Sequence, residues 1–259
     1  MRPGTAHPMA PKHGVLITRP EPGLGESMRA VAALGFEPVA CPLLRIVGRD
    51  LHLPAASALE AILVTSGQAI GPLSEADAAM KAVLVLAVGD GTAARARSAG
   101  FTRTTSAAGD AADLVTLVRS TLPAGAALLL ATGAGQGFRL AQGLRLAGYR
   151  VHRRAVYSAE PARRLPEAGQ AALAAGRIGA CLFFSGETAR NFVRLCPLPQ
   201  RRLLANVRAL AISPAVADAL SALPWSSVEI ARRPDAGAML ALLQEHGALQ
   251  EHGATASLD

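Results

Sequence analysis

Six short stretches place a hydroxyl or a glycine where an apolar run gives way to a helical pattern. They are Thr18-Arg19, Thr65-Ser66-Gly67, Gly89-Asp90-Gly91-Thr92, Thr132-Gly133, Ser185-Gly186 and Ser213-Pro214. The chemistry available there is anion binding. The first N–H groups of a helix have no partner inside it, and the helix dipole is positive at that end. Arg19 adds a rigid fork suited to a carboxylate. Each stretch alone also serves as an ordinary helix cap, since Ser, Thr and Asp are common first residues. Six together, on facing edges of two domains, read as an anion-lined cleft.

Other chemistries find little support. There is no GxxxxGK[ST] phosphate loop, no GxSxG elbow and no HExxH helix. Gly133-Ala-Gly-Gln-Gly137 follows an apolar run, but its spacing is not that of a dinucleotide loop. The acidic ribose partner expected about 20 residues on is replaced by His152-Arg153-Arg154. The six histidines form no ligand cluster. Cys41, Cys181 and Cys196 are scattered, with no CxxC, so neither a disulfide framework nor a zinc site is expected.

The elements that must position these residues alternate. Strands are expected at Val15–Arg19, Glu37–Ile46, Ala61–Ser66, Val83–Gly89, Ala127–Thr132, Tyr149–Ala159, Gly179–Ser185, Arg208–Ser213 and Ser227–Ala231. Amphipathic helices fill the gaps: Gly25–Leu34, Thr92–Ala99, Asp110–Thr121, Phe138–Ala147, Leu165–Ala175, Glu187–Leu195, Ala215–Ala222 and Asp235–Glu245. Near-continuous apolar strands separated by helices mean parallel sheets covered on both faces. Leu-Gly-Phe (34–36), Ala-Gly-Phe (99–101) and Ala-Gly-Tyr (147–149) each end a helix on a left-handed glycine. The two longest strands, Glu37–Ile46 and Tyr149–Ala159, are candidate crossings between domains.

The chain has 259 residues, 51% of them apolar, enough for one large domain or two of about 100–150 residues. Mean hydropathy is +0.29, yet no apolar run reaches the ~18–20 residues of a membrane span. The net charge is +7, and only Lys12 and Lys81 are lysines. This excess suits an acidic partner, but aromatics are only 3% and no basic run stands out, so nucleic acid is a poor candidate. Residues 1–13 have no apolar core of a secretory signal, which points to the cytoplasm. Gln-Glu-His-Gly-Ala occurs twice near the end (244–248 and 250–254) and reads as a local duplication.

Three blocks recur in order. Leu16-Ile-Thr-Arg aligns with Leu129-Leu-Ala-Thr at an offset of 113, Ala61-Ile-Leu-Val-Thr-Ser-Gly with Ala180-Cys-Leu-Phe-Phe-Ser-Gly at 119, and Ala87-Val-Gly-Asp-Gly-Thr-Ala with Ala211-Ile-Ser-Pro-Ala-Val-Ala at 124. Recurrence in register indicates two similar halves.

At these residues the sequence resembles the uroporphyrinogen-III synthase family. The matching pieces are Val-Leu-Ile-Thr-Arg-Pro (15–20), Leu-Gly-Phe (34–36), Pro42-Leu43, Ile-Leu-Val-Thr-Ser (62–66), Ala-Val-Gly-Asp-Gly-Thr-Ala (87–93), Ala-Val-Tyr (155–157), Leu-Phe-Phe-Ser (182–185) and Ala-Ile-Ser-Pro (211–214). The resemblance implies an α/β fold of two flavodoxin-like parallel-sheet domains joined by a two-stranded β ladder, with the ligand cleft between them. Residues 1–40 and 160–259 would form one domain and 43–156 the other, with linkers around 40–46 and 153–160.

The resemblance also implies a hydro-lyase of tetrapyrrole (haem, chlorophyll and cobalamin) biosynthesis. Such an enzyme cyclises hydroxymethylbilane to uroporphyrinogen III, losing water and inverting the last pyrrole ring through a spiro intermediate. No metal or organic cofactor takes part. Carried over by matching position, Tyr157 and Thr92 would be catalytic, Tyr157 donating to the departing hydroxyl. Thr18, Arg19, Ser66, Gly67, Gly89, Ser185, Gly186 and Ser213 would bind substrate. The partner would be the linear polycarboxylate, handed over from hydroxymethylbilane synthase to a cytoplasmic monomer that touches neither membrane nor nucleic acid. The chain departs from the family pattern at Thr132-Gly133-Ala134, where Arg-Gly-Asp/Glu is common, and at Val216, where threonine is common. A non-catalytic tetrapyrrole- or partner-binding module of the same fold is the alternative.

Overall fold

The computed structural model describes residues 14–245. The N-terminal histidines His7 and His13, and most of the duplicated tail with His246 and His252, lie outside the described residues. The described residues divide into two compact units: one comprises those up to Arg45 and from Pro161 onward, the other Ile46–Glu160. The expected second domain ended at 156; the second unit runs on to Glu160.

The first unit is built on a five-stranded parallel sheet. Its strands are β1 (Gly14–Ile17), β2 (Glu37–Ala40), β9 (Ile178–Phe183), β10 (Arg208–Ala211) and β11 (Ser227–Ile230), in the order β11-β10-β9-β1-β2. Alternate residues feed opposite faces. Leu16, Cys181, Phe183, Ala209 and Ala211 face one core; Val15, Ile17, Ala180, Leu182 and Leu210 face the other. Phe183, Phe192 and Trp225 pack edge-on or tilted, with ring centroids 5.4–5.7 Å apart.

The second unit carries a six-stranded sheet of β3 (Leu44–Gly48), β4 (Ala61–Val64), β5 (Leu84–Ala87), β6 (Thr104–Ser106), β7 (Ala127–Gly133) and β8 (Arg150–Pro161), in the order β3-β8-β7-β4-β5-β6. The ladders from β8 to β6 are all parallel. Ile62, Val64, Val85, Leu129 and Ala131 face one core; Ala61, Leu63, Leu86, Leu128 and Leu130 face the other. Among the described residues, no helix is long and apolar enough to cross a membrane.

The helix stops follow the glycines. Gly35, Gly100 and Gly148 have φ of 83°, 92° and 90°, the left-handed region that costs glycine nothing. At each, the next residue donates back to the third-last helical carbonyl: Phe36 to Val31, Phe101 to Ala96 and Tyr149 to Leu144. This is the Schellman closure, and the aromatic it delivers begins the next strand or packs beneath it.

One expected strand is two. Glu37–Ile46 splits at Cys41-Pro42-Leu43 into β2 in the first sheet and β3 in the second. Across the break the chain stays beside the end of β1, Cys41 N–H donating to Ile17 O at 2.9 Å and Leu43 N–H to Thr18 O at 3.0 Å. Tyr149–Ala159 is one long strand, β8. Where the chain leaves and re-enters the first unit, a clasp holds it. Buried Asn191 donates to Leu43 O at 2.6 Å and to Ala162 O at 3.4 Å, while Arg194 donates to Ala162 O at 2.9 Å and to Asn191 Oδ1 at 2.6 Å. Ala162 N–H closes the set on Leu43 O at 2.9 Å.

Candidate functional site

In the first unit the candidate residues gather past the carboxyl ends of β1, β9 and β10. Thr18 is wholly buried, and its hydroxyl donates to Leu182 O at 2.7 Å. The hydroxyl ties the end of β1 to β9. Arg19 is half-buried, its guanidinium stacked 4.4 Å above the Phe184 ring and donating to Ser27 Oγ at 3.3 Å. A Cβ at Gly23 would run into that guanidinium, so the glycine makes room for it. Ring, glycine and serine hold the fork in one place, an arrangement that would lose little entropy on pairing with a carboxylate.

Ser185 is a true cap. Its Oγ accepts from Thr188 N–H at 3.2 Å at the head of the helix Gly186–Leu195. Ser213 caps nothing with its side chain, although it stands at the head of the helix Pro214–Leu220. Val216, in the third helical position after Ser213, is buried in the core. A valine there packs inward, so the departure from threonine is accommodated by the core.

In the second unit the ends of β4, β5 and β7 carry the remaining candidates, with Tyr157 on β8 beside them. Ser66 caps, accepting from Gln68 N–H at 3.3 Å. Gly67 is buried, and a Cβ there would strike the Arg95 guanidinium; its role in this structure is to admit that side chain. Gly89 heads the helix Asp90–Ser98 in extended conformation, with no side-chain cap. Thr92, in the first turn, gives its N–H to Gly89 O at 3.1 Å. It is only partly buried, and its hydroxyl makes no hydrogen bond among the described residues. Of the hydroxyls named from the sequence, Thr92 and Ser213 are thus uncommitted, while Thr18, Ser66 and Ser185 are engaged with the fold.

Tyr157 lies where β8 departs from regular pairing. β7 and β8 run in register until a shift between Thr132 and Gly133, after which Gly133 faces Tyr157. The ring is only 3% exposed. A Cβ on Gly133 would come within 2.9 Å of that ring and 3.0 Å of Gln136 Oε1, so the tyrosine packs directly under a glycine. The phenol donates to Oε1 of exposed Gln136 at 3.4 Å.

Gln136 belongs to the loop Gly133–Gly137, in which Gly135 and Gly137 have φ of 75° and 76°. The loop backbone is tied down. Arg153 Nη1 donates to Gln136 O at 3.0 Å, Thr132 Oγ1 lies 3.4 Å from the same oxygen, and Tyr157 O accepts from Ala134 N–H at 2.8 Å. Arg153 is itself stacked 3.8 Å from the exposed Phe138 ring. Thr132, one of the departures from the family pattern, thereby anchors the loop. Sequence reading missed Gln136, because an exposed glutamine in a glycine-rich loop carries no periodic or motif signal.

A cavity of about 540 Å³ opens elsewhere in the second unit, lined by Arg49, Asp50, Leu53, Glu75, Asp77 and Met80 among others. None of the residues expected to act on substrate lines it. The cysteines are buried thiols of the first unit, and burial pushes Cys41 up to about 12 and raises Cys181 and Cys196.

The uroporphyrinogen-III synthase (HemD) family model matches residues 26–241. The fold is similar to the crystal structure of uroporphyrinogen-III synthetase from Helicobacter pylori, at 16% identity over 90% of this chain and 98% of that one, with a TM-score of 0.60. It is also similar to a mutant uroporphyrinogen III synthase from Thermus thermophilus, at 24% identity over 92% of this chain and 99% of that one, with a TM-score of 0.50. At such identities the likeness speaks for the fold alone. No curated protein matches the chain significantly.

Proposed function

The chain belongs to the uroporphyrinogen-III synthase family, and from that premise we propose that it is a hydro-lyase closing hydroxymethylbilane into uroporphyrinogen III. It is an enzyme of the porphyrin pathway. The observation that carries the reading is the family match over residues 26–241, which runs through both compact units.

The reaction asks little covalent chemistry of the protein. The substrate's terminal hydroxyl leaves as water, and the electrons of the pyrroles fill the cation that remains. The protein has to hold a flexible chain bent, supply one proton and take one back. Fixing reacting carbons in contact removes an entropic barrier worth several kcal/mol.

In this reading Tyr157 supplies the proton. Its phenol carries an O–H, so it has a proton to give. The O–H passes its proton to the hydroxyl oxygen, the carbon–oxygen bond breaks, and water departs. The proton lost when the last ring regains its aromaticity returns to the phenolate, so protons balance over a turnover. The uncommitted hydroxyls of Thr92 and Ser213 and the oriented Arg19 fork engage the acetate and propionate arms. Thr18 is left out of this set, because its hydroxyl already serves Leu182 O.

Tyr157→Phe tests the assignment. It keeps the ring that packs under Gly133 and removes only the hydroxyl. Steady-state kinetics should show kcat lowered by about 10²- to 10⁴-fold, the range of a positioned acid, with KM little changed. An unchanged kcat removes Tyr157 from the mechanism.

A further inference from the structure

Gly186 opens the helix Gly186–Leu195 at the carboxyl end of β9. A Cβ there would lie 3.0 Å from Arg190 Nη1. Arg190 thus folds back along its own helix, and the glycine leaves it room. Its side chain is exposed, and among the described residues its guanidinium makes no hydrogen bond or ion pair. Glu187, three positions earlier and also exposed, is spaced for an ordinary helical ion pair, yet that pair does not form. The N–H donors of the fork are left to solvent or to a ligand.

The second unit reaches a like arrangement by another route. Gly67 is the counterpart of Gly186 in the chain's repeat, each following a capping serine, and a Cβ on it would strike the Arg95 guanidinium. Arg95 belongs to the helix Asp90–Ser98, not to the helical turn that Gly67 opens. Shifted by the repeat offset of 119, position 190 falls on Gly71, so neither arginine is a copy of the other. Two different chain positions deliver a guanidinium to equivalent glycines at strand ends. A shared demand at those ends explains this better than inherited packing does.

We infer that Arg190 is a substrate-binding residue of this chain, taking one acetate or propionate carboxylate of the linear tetrapyrrole through the paired N–H groups of its fork. The inference rests on the reading of the chain as a uroporphyrinogen-III synthase. Ser213 and Arg19 stand past the ends of β10 and β1, the strands on either side of β9, so Arg190 fills the middle of a row of donors in the first unit.

The test uses the full-length protein, hydroxymethylbilane as substrate, and three variants: Arg190→Gln, Arg190→Lys and Arg119→Gln. Arg119 is exposed in the last turn of the helix Ala111–Thr121, and its loss removes the same unit of net charge. Arg190→Gln should raise KM about tenfold, the size of one charge-assisted hydrogen bond, with kcat little changed. Lysine should recover part of the loss, because it keeps the charge without the fork. Arg119→Gln should leave KM level. The thermal midpoint of Arg190→Gln should hold or rise, since the guanidinium bonds nothing in the fold and stands near the positive end of its own helix.

An unchanged KM in Arg190→Gln overturns the inference, and so does an equal rise in Arg119→Gln, which would assign the effect to net charge alone. Both leave the enzyme reading in place. If the wild-type protein makes no type III isomer in the same assay, that reading falls and the role of Arg190 falls with it.

Discussion

Single atoms decide most of what can be said about the candidate site. Thr18 shows how. Its hydroxyl is wholly buried on Leu182 O, so Thr18→Val should cost stability and not chemistry. Denaturant unfolding should show a loss of about 1–3 kcal/mol from the carbonyl left without its donor, with kcat nearly unchanged. Gly133→Ala should do the reverse in emphasis. The new methyl comes within 2.9 Å of the Tyr157 ring, and a buried ring has little room to yield. Activity should fall well beyond any change in melting temperature. These distinctions were only half legible in the sequence. The hydroxyls at strand ends could be found by position, but a cap, a strand staple and an uncommitted hydroxyl share one residue type. Which of them Thr18, Ser66 and Thr92 would be depends on neighbours brought close by the fold, such as Leu182, which is 164 positions from Thr18.

Elements were easier to read than residues. The three glycine–aromatic pairs announced their helix ends because the Schellman closure is local, within six residues of chain. The alternating cores of β4, β7 and β9 were legible as short apolar runs. β6 was not, since Thr104-Thr105-Ser106 is polar and brief, and its strand state comes from pairing with β5. The break between β2 and β3 shows the limit of pattern alone: apolar character continues across Cys41-Pro42-Leu43, yet the strands on its two sides belong to different sheets. The Asn191 clasp around Leu43 and Ala162 has no sequence signature, because its partners lie 148 and 29 positions away. Asn191→Leu should destabilise the first unit by about 1–3 kcal/mol by removing donors from both carbonyls and the acceptor from Arg194. Hydrogen exchange at the Ala162 amide should rise before exchange in β9 does.

At the scale of the molecule, two properties follow from charge and burial. The first concerns alkali. Cys41 is held up to about 12, and Cys181 and Cys196 are also raised, with desolvation the leading cause. A thiol whose folded pKa exceeds its unfolded value of 9.0 contributes stability that is fully present below pH 9 and is lost as pH climbs toward 12. Unfolding midpoints should therefore hold near neutrality and decline above pH 9, and Cys41→Ala should flatten that decline. The second concerns the net charge of +7, carried almost wholly by arginine. A polycarboxylate substrate is drawn in by such a field over a range set by ionic strength. Raising salt should lower kcat/KM while kcat stays level.

Whether this chain directs ring closure with inversion is decided by the isomer of its product. Freshly made hydroxymethylbilane, incubated with the purified protein and then oxidised for separation, should yield chiefly the type III isomer at a rate above spontaneous closure. Type I isomer alone, as formed without protein, would mean that the chain does not direct the inversion.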